Sequence, residues 1–230
     1  IAAMDTELAR LLQSVDKKKT IIVFIGDNGT PIEVTRPPFD PAHAKASLYQ
    51  GGVNVPLIVT GPKSILSSLQ QGQSDALVGS VDLYATLLKL AGINVQAALP
   101  FDYPLDSVSF APVLPVAKWY RGFSVRQTNY TEHELQAPFL NVPGGFCSVF
   151  PLANVLGRGE AVRNNRYKLI HNADPICGGK PEYEFYDLKL DPLETVDLLT
   201  NPQNPWLETF NLNNLCDELN DVRGEVICDL

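Results

Sequence analysis

The stretch Thr20-Ile21-Ile22-Val23-Phe24-Ile25-Gly26-Asp27-Asn28-Gly29 decides the fold that the sequence predicts. A short, continuous apolar run rich in β-branched residues is typical of a parallel strand buried on both faces. Ligands of open α/β sheets bind at the carboxyl ends of the strands, where Asp27 and Asn28 stand here. Their carboxylate and amide oxygens are donors that Ca²⁺ and Mg²⁺ prefer. The alternative is structural, because Asp-Asn-Gly is also a common turn sequence after a strand.

The segments around this strand alternate between helix and strand patterns. Residues 4–15 place apolar side chains at helical spacing, and residues 55–59 form a second apolar run. Residues 75–79 predict a short third strand, and residues 82–91 predict a helix that stops at Gly92. This alternation predicts an α/β fold, with part of a doubly wound, mostly parallel sheet over residues 1–115.

The second predicted part, residues 116–230, is a small α+β subdomain. Short strand patterns near residues 161, 168 and 186 predict a small antiparallel sheet, and residues 163–166 predict a hairpin turn in it. The tail predicts a C-terminal helix that carries Trp206, Phe210 and Leu219. We interpret the two aromatic residues as packing residues.

The strand count predicts that the main sheet is incomplete within this chain. The sequence supplies about three strands, whereas a doubly wound sheet usually has about five or six. The other strands then come from an N-terminal segment, or a partner covers the open edge. We therefore expect the isolated chain to cover the run around Ile22 by self-association, unless residues 30–43 fold back over it.

Composition and charge exclude several classes of protein. Hydrophobic residues make up 45% of the 230 residues and charged residues 19%, which is near the globular average and excludes a disordered chain. A net charge of −8 disfavours nucleic acid as a partner. The longest apolar runs are far shorter than the roughly 20 residues of a membrane span. The chain opens at Ile1 just before a helix pattern, which indicates a piece of a longer protein.

Four cysteines lie in the second half of the sequence: Cys147, Cys177, Cys216 and Cys228. They show no C-x-x-C spacing, so a structural zinc site is disfavoured. Two disulfides would indicate an oxidising compartment, periplasmic or extracellular. Four free thiols in a cytosolic protein are the alternative, since pairing does not follow from one sequence.

A second candidate for chemistry is Lys45, which precedes the pair Gly51-Gly52 by six residues. A lysine before such a loop can place its ammonium group beside an anion, and the glycines let the backbone approach closely. The alternative is a solvated surface lysine before an ordinary turn.

Taken together, these segments resemble the sulfatase family within the alkaline-phosphatase-like superfamily. The resemblance covers residues 1 to about 202, and the matching features occur in the order of the family. They are the opening helix, residues 20–29, Lys45 with Gly51-Gly52, residues 55–59, residues 81–93, the strand pair around residues 161–170, and Phe185-Tyr186-Asp187-Leu188 with Asp191-Pro192-Leu193-Glu194.

The departures from the family pattern matter as well. The C/S-x-P-x-R motif, whose first residue becomes the formylglycine nucleophile in the family, does not occur in these 230 residues. The chain therefore resembles the C-terminal half alone, with formylglycine expected in an N-terminal part. Smaller departures are Gln50 for the usual Glu, Asn54 for a common Arg and Ala85 for a common Pro.

The resemblance implies that Asp27 and Asn28 complete a Ca²⁺ or Mg²⁺ site and that Lys45 contacts the sulfate. A cation and a fixed ammonium group would stabilise the negative charge that builds up as a sulfate ester breaks. The implied substrate is a sulfated small molecule or a sulfated glycan. Two other readings stay open: a non-catalytic sulfatase-like binding module, and a phosphate or phosphonate monoester hydrolase of the same superfamily.

Overall fold

The computed structural model describes residues 1–62, 72–100, 103–114, 124–134, 156–175 and 182–230. In chain order its helices and strands are α1 (Ala2–Gln13), β1 (Ile22–Ile25), α2 (Gln50–Val53), β2 (Leu57–Thr60), α3 (Asp82–Leu90), α4 (Val95–Ala98), β3 (Asn129–Glu134), β4 (Leu156–Arg163), β5 (Tyr167–Pro175), β6 (Glu182–Asp187) and α5 (Pro205–Arg223). Short 3₁₀ turns lie at Ile32–Val34, Pro41–His43 and Ala111–Val113.

The chain forms two compact units that interleave along the sequence. The first unit comprises Ile1–Ile25 and Pro56–Arg126, and the second comprises Gly26–Val55 and Gln127–Leu230. The expected domains, 1–115 and 116–230, stay a prediction. The segment after β1, Gly26–Val55, belongs to the same compact unit as the C-terminal part of the chain.

The first unit contains a two-stranded sheet of β1 and β2. The two strands are antiparallel, with Ile22 opposite Thr60 and Ile25 opposite Leu57. The predicted α/β class is confirmed, but the apolar run is not buried on both faces. Ile22 and Val23 are half-buried, whereas the side chains of Phe24 and Ile25 are exposed. The reason is that, within the described residues, this sheet has no third strand.

Helix α3 confirms the predicted helix, which ends at Gly92 in the left-handed conformation (φ 79°). The predicted strand at residues 75–79 is wrong, since these residues form no strand. Polar side chains hold this segment instead. The buried Asp82 carboxylate accepts hydrogen bonds from the Gly79 amide (2.8 Å) and from Arg126 Nη2 (2.7 Å). Burial acts to raise the pKa of Asp82, but Arg126 and the backbone donors outweigh it and hold that pKa below its usual value.

The second unit confirms the predicted antiparallel sheet and C-terminal helix. Its four strands follow the order β3-β4-β5-β6, and every neighbouring pair is antiparallel. The predicted hairpin turn joins β4 to β5, where the Asn164 amide donates to the Tyr167 carbonyl oxygen (3.0 Å). The sheet packs on α5 through a buried apolar cluster of Val162, Tyr167, Leu169, Phe185, Leu198, Leu215, Cys216, Leu219 and Cys228.

Helix α5 begins at Pro205 and ends at Arg223, and Gly224 caps it with a φ of 68°. Leu219 is fully buried, as an apolar residue on the sheet-facing side should be. The interpretation of Trp206 and Phe210 as packing residues is wrong, because their exposed fractions are 80% and 58%. The two rings lie one helical turn apart and stack on each other (centroids 6.5 Å).

A disulfide joins Cys216 in α5 to Cys228 near the C-terminus, with their Cα atoms 5.3 Å apart. Both residues belong to the buried cluster under the sheet. Cys147 and Cys177 lie outside the described residues, so their state stays open. The oxidising compartment stays a prediction.

We expect the double replacement Cys216→Ser and Cys228→Ser to lower the free energy of unfolding of the second unit by about 3 kcal/mol. The physical reason is that the bond closes a loop between residues 12 apart, which restricts the unfolded chain. Urea denaturation followed by circular dichroism measures the change, and thiol reduction of the wild type should reproduce it. A loss below about 1 kcal/mol would contradict a stabilising role for the bond.

The expected self-association of the isolated chain stays a prediction, and the β1–β2 sheet indicates where it would occur. Ile58 at the centre of β2 is 57% exposed, beside the exposed Phe24 of β1. Light scattering should therefore show a mass above that of a monomer, and Ile58→Lys should lower it because a charge opposes burial of this face. Leu190→Lys, at a residue of the second unit that is 74% exposed, is the control. A monodisperse monomer of the unmodified chain would contradict the prediction.

The described residues contain no helix that combines the length and the apolar character required to cross a bilayer.

Candidate functional site

Asp27 and Asn28 follow β1 directly and are the second and third residues of the second unit. Both side chains are exposed. The Asn28 Nδ2 group donates a hydrogen bond to the Asp27 carbonyl oxygen (2.5 Å). This bond uses the nitrogen of the amide and holds the side chain against the neighbouring backbone. The amide oxygen takes no part in it.

Lys45 lies in a loop of residues 43–53, which we call the Lys45 loop. The loop leaves the 3₁₀ turn Pro41–His43 and ends in the short helix α2. Two backbone hydrogen bonds join it to the segment that carries Asp27 and Asn28. The Gly29 amide donates to the Gly52 carbonyl oxygen (3.0 Å), and the Lys45 amide donates to the Thr30 carbonyl oxygen (2.9 Å). The structure therefore brings together the two segments that the sequence singled out.

Glycine is required where these two segments meet. A Cβ atom on Gly29 would overlap the Gly51 carbonyl oxygen and lie 2.7 Å from the Gly52 Cα atom. A Cβ atom on Gly52 would overlap the Ser47 carbonyl oxygen and lie 2.8 Å from the Ala44 carbonyl oxygen. These contacts are with backbone, which cannot move aside cheaply, so a larger residue at position 29 would force the two segments apart and one at position 52 would distort the Lys45 loop itself.

The backbone around Lys45 is held in an uncommon conformation. Ala46, the next residue, has a φ of 71°, which is unfavourable for a residue with a Cβ atom. Such strain persists only where the surroundings impose it, and it is frequent at ligand-binding sites. The Lys45 side chain itself is exposed, and no carboxylate of the described residues lies within ion-pair distance of its ammonium group. Within the described part of the chain, the geometry therefore presents a cation without a counter-charge.

The rest of the Lys45 loop is anchored on the sheet of the second unit. Leu48 and Tyr49 are buried in a cluster with Ala161, Ile170, Tyr186 and Leu188. The Tyr49 hydroxyl donates to the Glu184 carboxylate (2.6 Å), and the His43 ring stacks on Tyr49 at 3.6 Å between centroids. Burial, followed by the negative charge of Glu184, raises the pKa of Tyr49 well above its usual value, so this phenol stays a donor.

A second anchor connects the loop to the motif Asp191-Pro192-Leu193-Glu194. The Glu194 carboxylate accepts a hydrogen bond from the Gln50 amide (2.6 Å) and one from Lys168 Nζ (2.8 Å). Both members of the ion pair are buried. Desolvation by burial lowers the pKa of Lys168 to about 8, against the opposing attraction of Glu194. The sequence pattern located this motif, but it gave no sign that Glu194 reaches the Lys45 loop.

The donor set of Asp27 and Asn28 fits part of a site for a hard cation. Both provide oxygen, both are exposed, and they are adjacent in a loop that the Gly29–Gly52 bond fixes. Ca²⁺ usually takes six to eight oxygen ligands, so two residues do not make a complete site. Among the described residues, no group of three or more His, Cys, Asp or Glu side chains could hold a metal.

Two further polar side chains near these loops have structural roles. Arg36 donates from Nη1 to the carbonyl oxygens of Glu33 (3.2 Å) and Thr35 (2.9 Å), which folds it onto its own turn. His43 is half-buried, and its Nδ1 lies 3.3 Å from the Leu193 carbonyl oxygen. Arg36 is exposed, as Lys45 is, but its guanidinium group is bonded to its own turn.

Comparison with known proteins gives a consistent result. Residues 1–93 match the family model described as Sulfatase. Arylsulfatase K of Gallus gallus is 30% identical over 209 residues, which cover 90% of this chain and 32% of that protein. A solved structure described as a complex with "its substrate D-Glucosamine-2-N, 6-O-disulfate" has a TM-score of 0.64 at 24% identity, over 97% of this chain and 38% of that one. The phosphonate monoester hydrolase of Agrobacterium radiobacter has a TM-score of 0.60 at 20% identity, over 93% of this chain and 38% of that one.

At these identities, the likeness to both solved structures shows the fold alone. The chain spans about a third of the length of the curated relatives that it matches.

Proposed function

We propose that this chain, which belongs to the sulfatase family, forms part of an enzyme that hydrolyses sulfate esters. The nucleophile would come from outside these 230 residues, because the sequence has no C/S-x-P-x-R motif. The chain would correspond to the C-terminal portion of such an enzyme and would contribute the Asp27–Asn28 segment and the Lys45 loop to its active site.

Lys45 would contact the sulfate group. Cleavage of the ester builds negative charge on the sulfate and on the leaving oxygen, and a preorganised ammonium group stabilises that charge. Three observations support this role: the side chain is exposed, it has no carboxylate partner among the described residues, and Ala46 holds the loop in a strained conformation.

Asp27 and Asn28 would hold a Ca²⁺ or Mg²⁺ ion together with ligands from outside the chain. When bound, such a cation neutralises negative charge on the sulfate oxygens and helps to orient the ester. The contribution of this chain is to fix the two oxygen donors beside the Lys45 loop. The observation that carries the proposal is therefore the pair of backbone bonds, Gly29 to Gly52 and Lys45 to Thr30.

The substrate would be a sulfated small molecule or a sulfated glycan. A disulfated glucosamine is the substrate of one protein with this fold, and the family membership of the present chain makes the same class a reasonable test set. Substrates of phosphonate monoester hydrolases belong in the same set, since proteins of that activity share the fold.

The experiment that tests the proposal measures kcat/KM of the complete protein that carries these 230 residues. An aryl sulfate, a sulfated glucosamine, an aryl phosphate and an aryl phosphonate are compared, with and without a chelator. Preference for a sulfate ester, lost on chelation, supports the proposal. Preference for the phosphate or phosphonate would overturn it in favour of another esterase of the superfamily. Binding of sulfated saccharides without turnover would overturn it in favour of a non-catalytic module.

The 230-residue chain by itself should bind Ca²⁺ only weakly, with Kd in the range of about 10⁻⁴ M or higher. The reason is that Asp27 and Asn28 provide two of the ligands that the ion requires. Isothermal calorimetry measures the affinity, and the double variant Asp27→Ala and Asn28→Ala is the control that should remove the remaining signal. A micromolar Kd in the unmodified chain would contradict the prediction and would require ligands that we have not identified.

A further inference from the structure

Glu194 combines burial, charge and an uncommon backbone conformation. Its exposed fraction is 2%, and its φ of 56° is in the left-handed region that residues with a Cβ atom rarely adopt. The turn that imposes this conformation is held by Asp191, whose carboxylate accepts hydrogen bonds from the amides of Thr195 (2.6 Å) and Val196 (2.8 Å). The motif therefore directs a charged side chain into the interior at a cost in backbone energy.

The motif that contains Glu194 contacts the Lys45 loop on both sides of Lys45. Before Lys45, the Leu193 carbonyl oxygen lies 3.3 Å from His43 Nδ1. After Lys45, Glu194 Oε2 accepts the hydrogen bond from the Gln50 amide at 2.6 Å. The loop also bonds to Thr30 through Lys45, between these two points, and to Gly29 through Gly52, two residues beyond Gln50. The position of Lys45 is thus set between the motif and the Asp27–Asn28 segment.

Lys168 makes the arrangement possible. Lys168 is 1% exposed, and its ammonium group donates to the other carboxylate oxygen of Glu194 at 2.8 Å. A buried carboxylate without a counter-charge would be costly, and Lys168 on β5 supplies that counter-charge at Oε1 while Oε2 accepts the hydrogen bond from the loop. The charge pair thereby connects the centre of the sheet to the backbone of the loop.

We propose that Glu194, held by Lys168, is a positioning residue that fixes the Lys45 loop in the conformation that presents the Lys45 ammonium group. Glu194 does not touch the substrate in this proposal and acts through the Gln50 amide. That Glu194 positions the Lys45 loop does not depend on the function of the protein. That this positioning supports catalysis rests on the proposed function.

The test separates loop positioning from overall stability. Glu194→Gln alone leaves Lys168 buried without a counter-charge and can unfold the unit, so the informative variant is Glu194→Leu combined with Lys168→Met. Replacement of a buried ion pair by apolar residues of similar size often preserves stability. That variant removes both charges and the acceptor for Gln50. Arg166→Met is the matched control, because it breaks another ion pair of the same sheet (Arg166–Asp187, 2.6 Å) away from the loop.

Hydrogen exchange of the 230-residue chain is the first readout. In the double variant, the amides of residues 45–53 should exchange at least about tenfold faster, while the amides of β4, β5 and β6 change by less than about threefold. Arg166→Met should leave the loop amides unchanged. If the loop amides of the double variant keep their wild-type exchange while the sheet stays folded, the proposal is overturned.

A double-mutant cycle in the complete protein is the second readout. The Glu194→Leu and Lys168→Met pair should lower kcat/KM for an aryl sulfate by about 10- to 100-fold, as expected for a misplaced catalytic group. In a Lys45→Ala background the same pair should cost less than about threefold, since it acts through Lys45. Fully additive losses would overturn the proposal. If the complete protein hydrolyses no sulfate ester, the proposed function fails, and the exchange experiment still decides the positioning role.

Discussion

Lys45→Ala in the complete protein is expected to lower kcat/KM for a sulfate ester by about 100- to 1,000-fold. The expected loss is large because the ammonium group has no carboxylate partner among the described residues and would meet its counter-charge only in the substrate. A fixed cation contributes most where charge develops in the transition state, so kcat should fall together with kcat/KM. Steady-state kinetics with an aryl sulfate measures both.

Two variants control this prediction. Lys189→Ala removes an exposed lysine of the same unit and should leave the kinetics unchanged. Lys45→Arg keeps the charge but changes its shape, and should recover part of the activity and not all of it. A Lys45→Ala enzyme within about threefold of the wild type would mean that Lys45 is an ordinary surface lysine, which is the alternative reading of its sequence context.

The 230-residue chain alone is expected to hydrolyse no sulfate ester at a measurable rate. The physical reason is that ester cleavage in this family depends on a nucleophile whose sequence motif does not occur in the chain. In the proposed site, the two metal-ligand candidates and Lys45 would stabilise charge and would not supply the nucleophile. Incubation of the purified chain with an aryl sulfate and millimolar Ca²⁺, followed by absorbance, measures any turnover.

The control for this prediction is the complete protein under the same conditions. Metal-dependent hydrolysis by the isolated chain, reduced by Lys45→Ala, would contradict the prediction. It would also place a nucleophile within these 230 residues and overturn the proposed division of the active site.

Local patterns predicted the positions of several elements but not their surroundings. The run from Thr20 to Ile25 correctly indicated a strand, because β-branched residues in a short apolar run favour extended structure whatever lies next to them. Its antiparallel pairing with β2 and its exposed face depend on which strands are available, which the run itself does not specify. The wrong strand at residues 75–79 has a similar cause, since buried polar bonds to Asp82 and from Leu77 to Ser124 hold that segment without a sheet.

For the candidate site too, the sequence predicted the local segments but not the long-range contact that anchors them. Asp27, Asn28 and Lys45 could be singled out because each belongs to a short local pattern, and the structure joins their segments through Gly29 and Gly52. The anchoring of the loop by Glu194 could not be predicted, because Gln50 and Glu194 are 144 residues apart and the contact uses a backbone amide. Its one visible signal was the Asp-Pro-x-Glu motif, which marks a turn and does not reveal where the Glu side chain points.

The most direct measurement is a crystal structure of the complete protein grown with Ca²⁺ and inorganic sulfate. We expect Lys45 Nζ within about 3 Å of a sulfate oxygen, and oxygens of Asp27 and Asn28 at about 2.3–2.6 Å from a Ca²⁺ ion. The Gly29–Gly52 and Lys45–Thr30 bonds should be unchanged. A sulfate bound elsewhere while Lys45 points into solvent, or a cation that neither Asp27 nor Asn28 contacts, would contradict the proposed site.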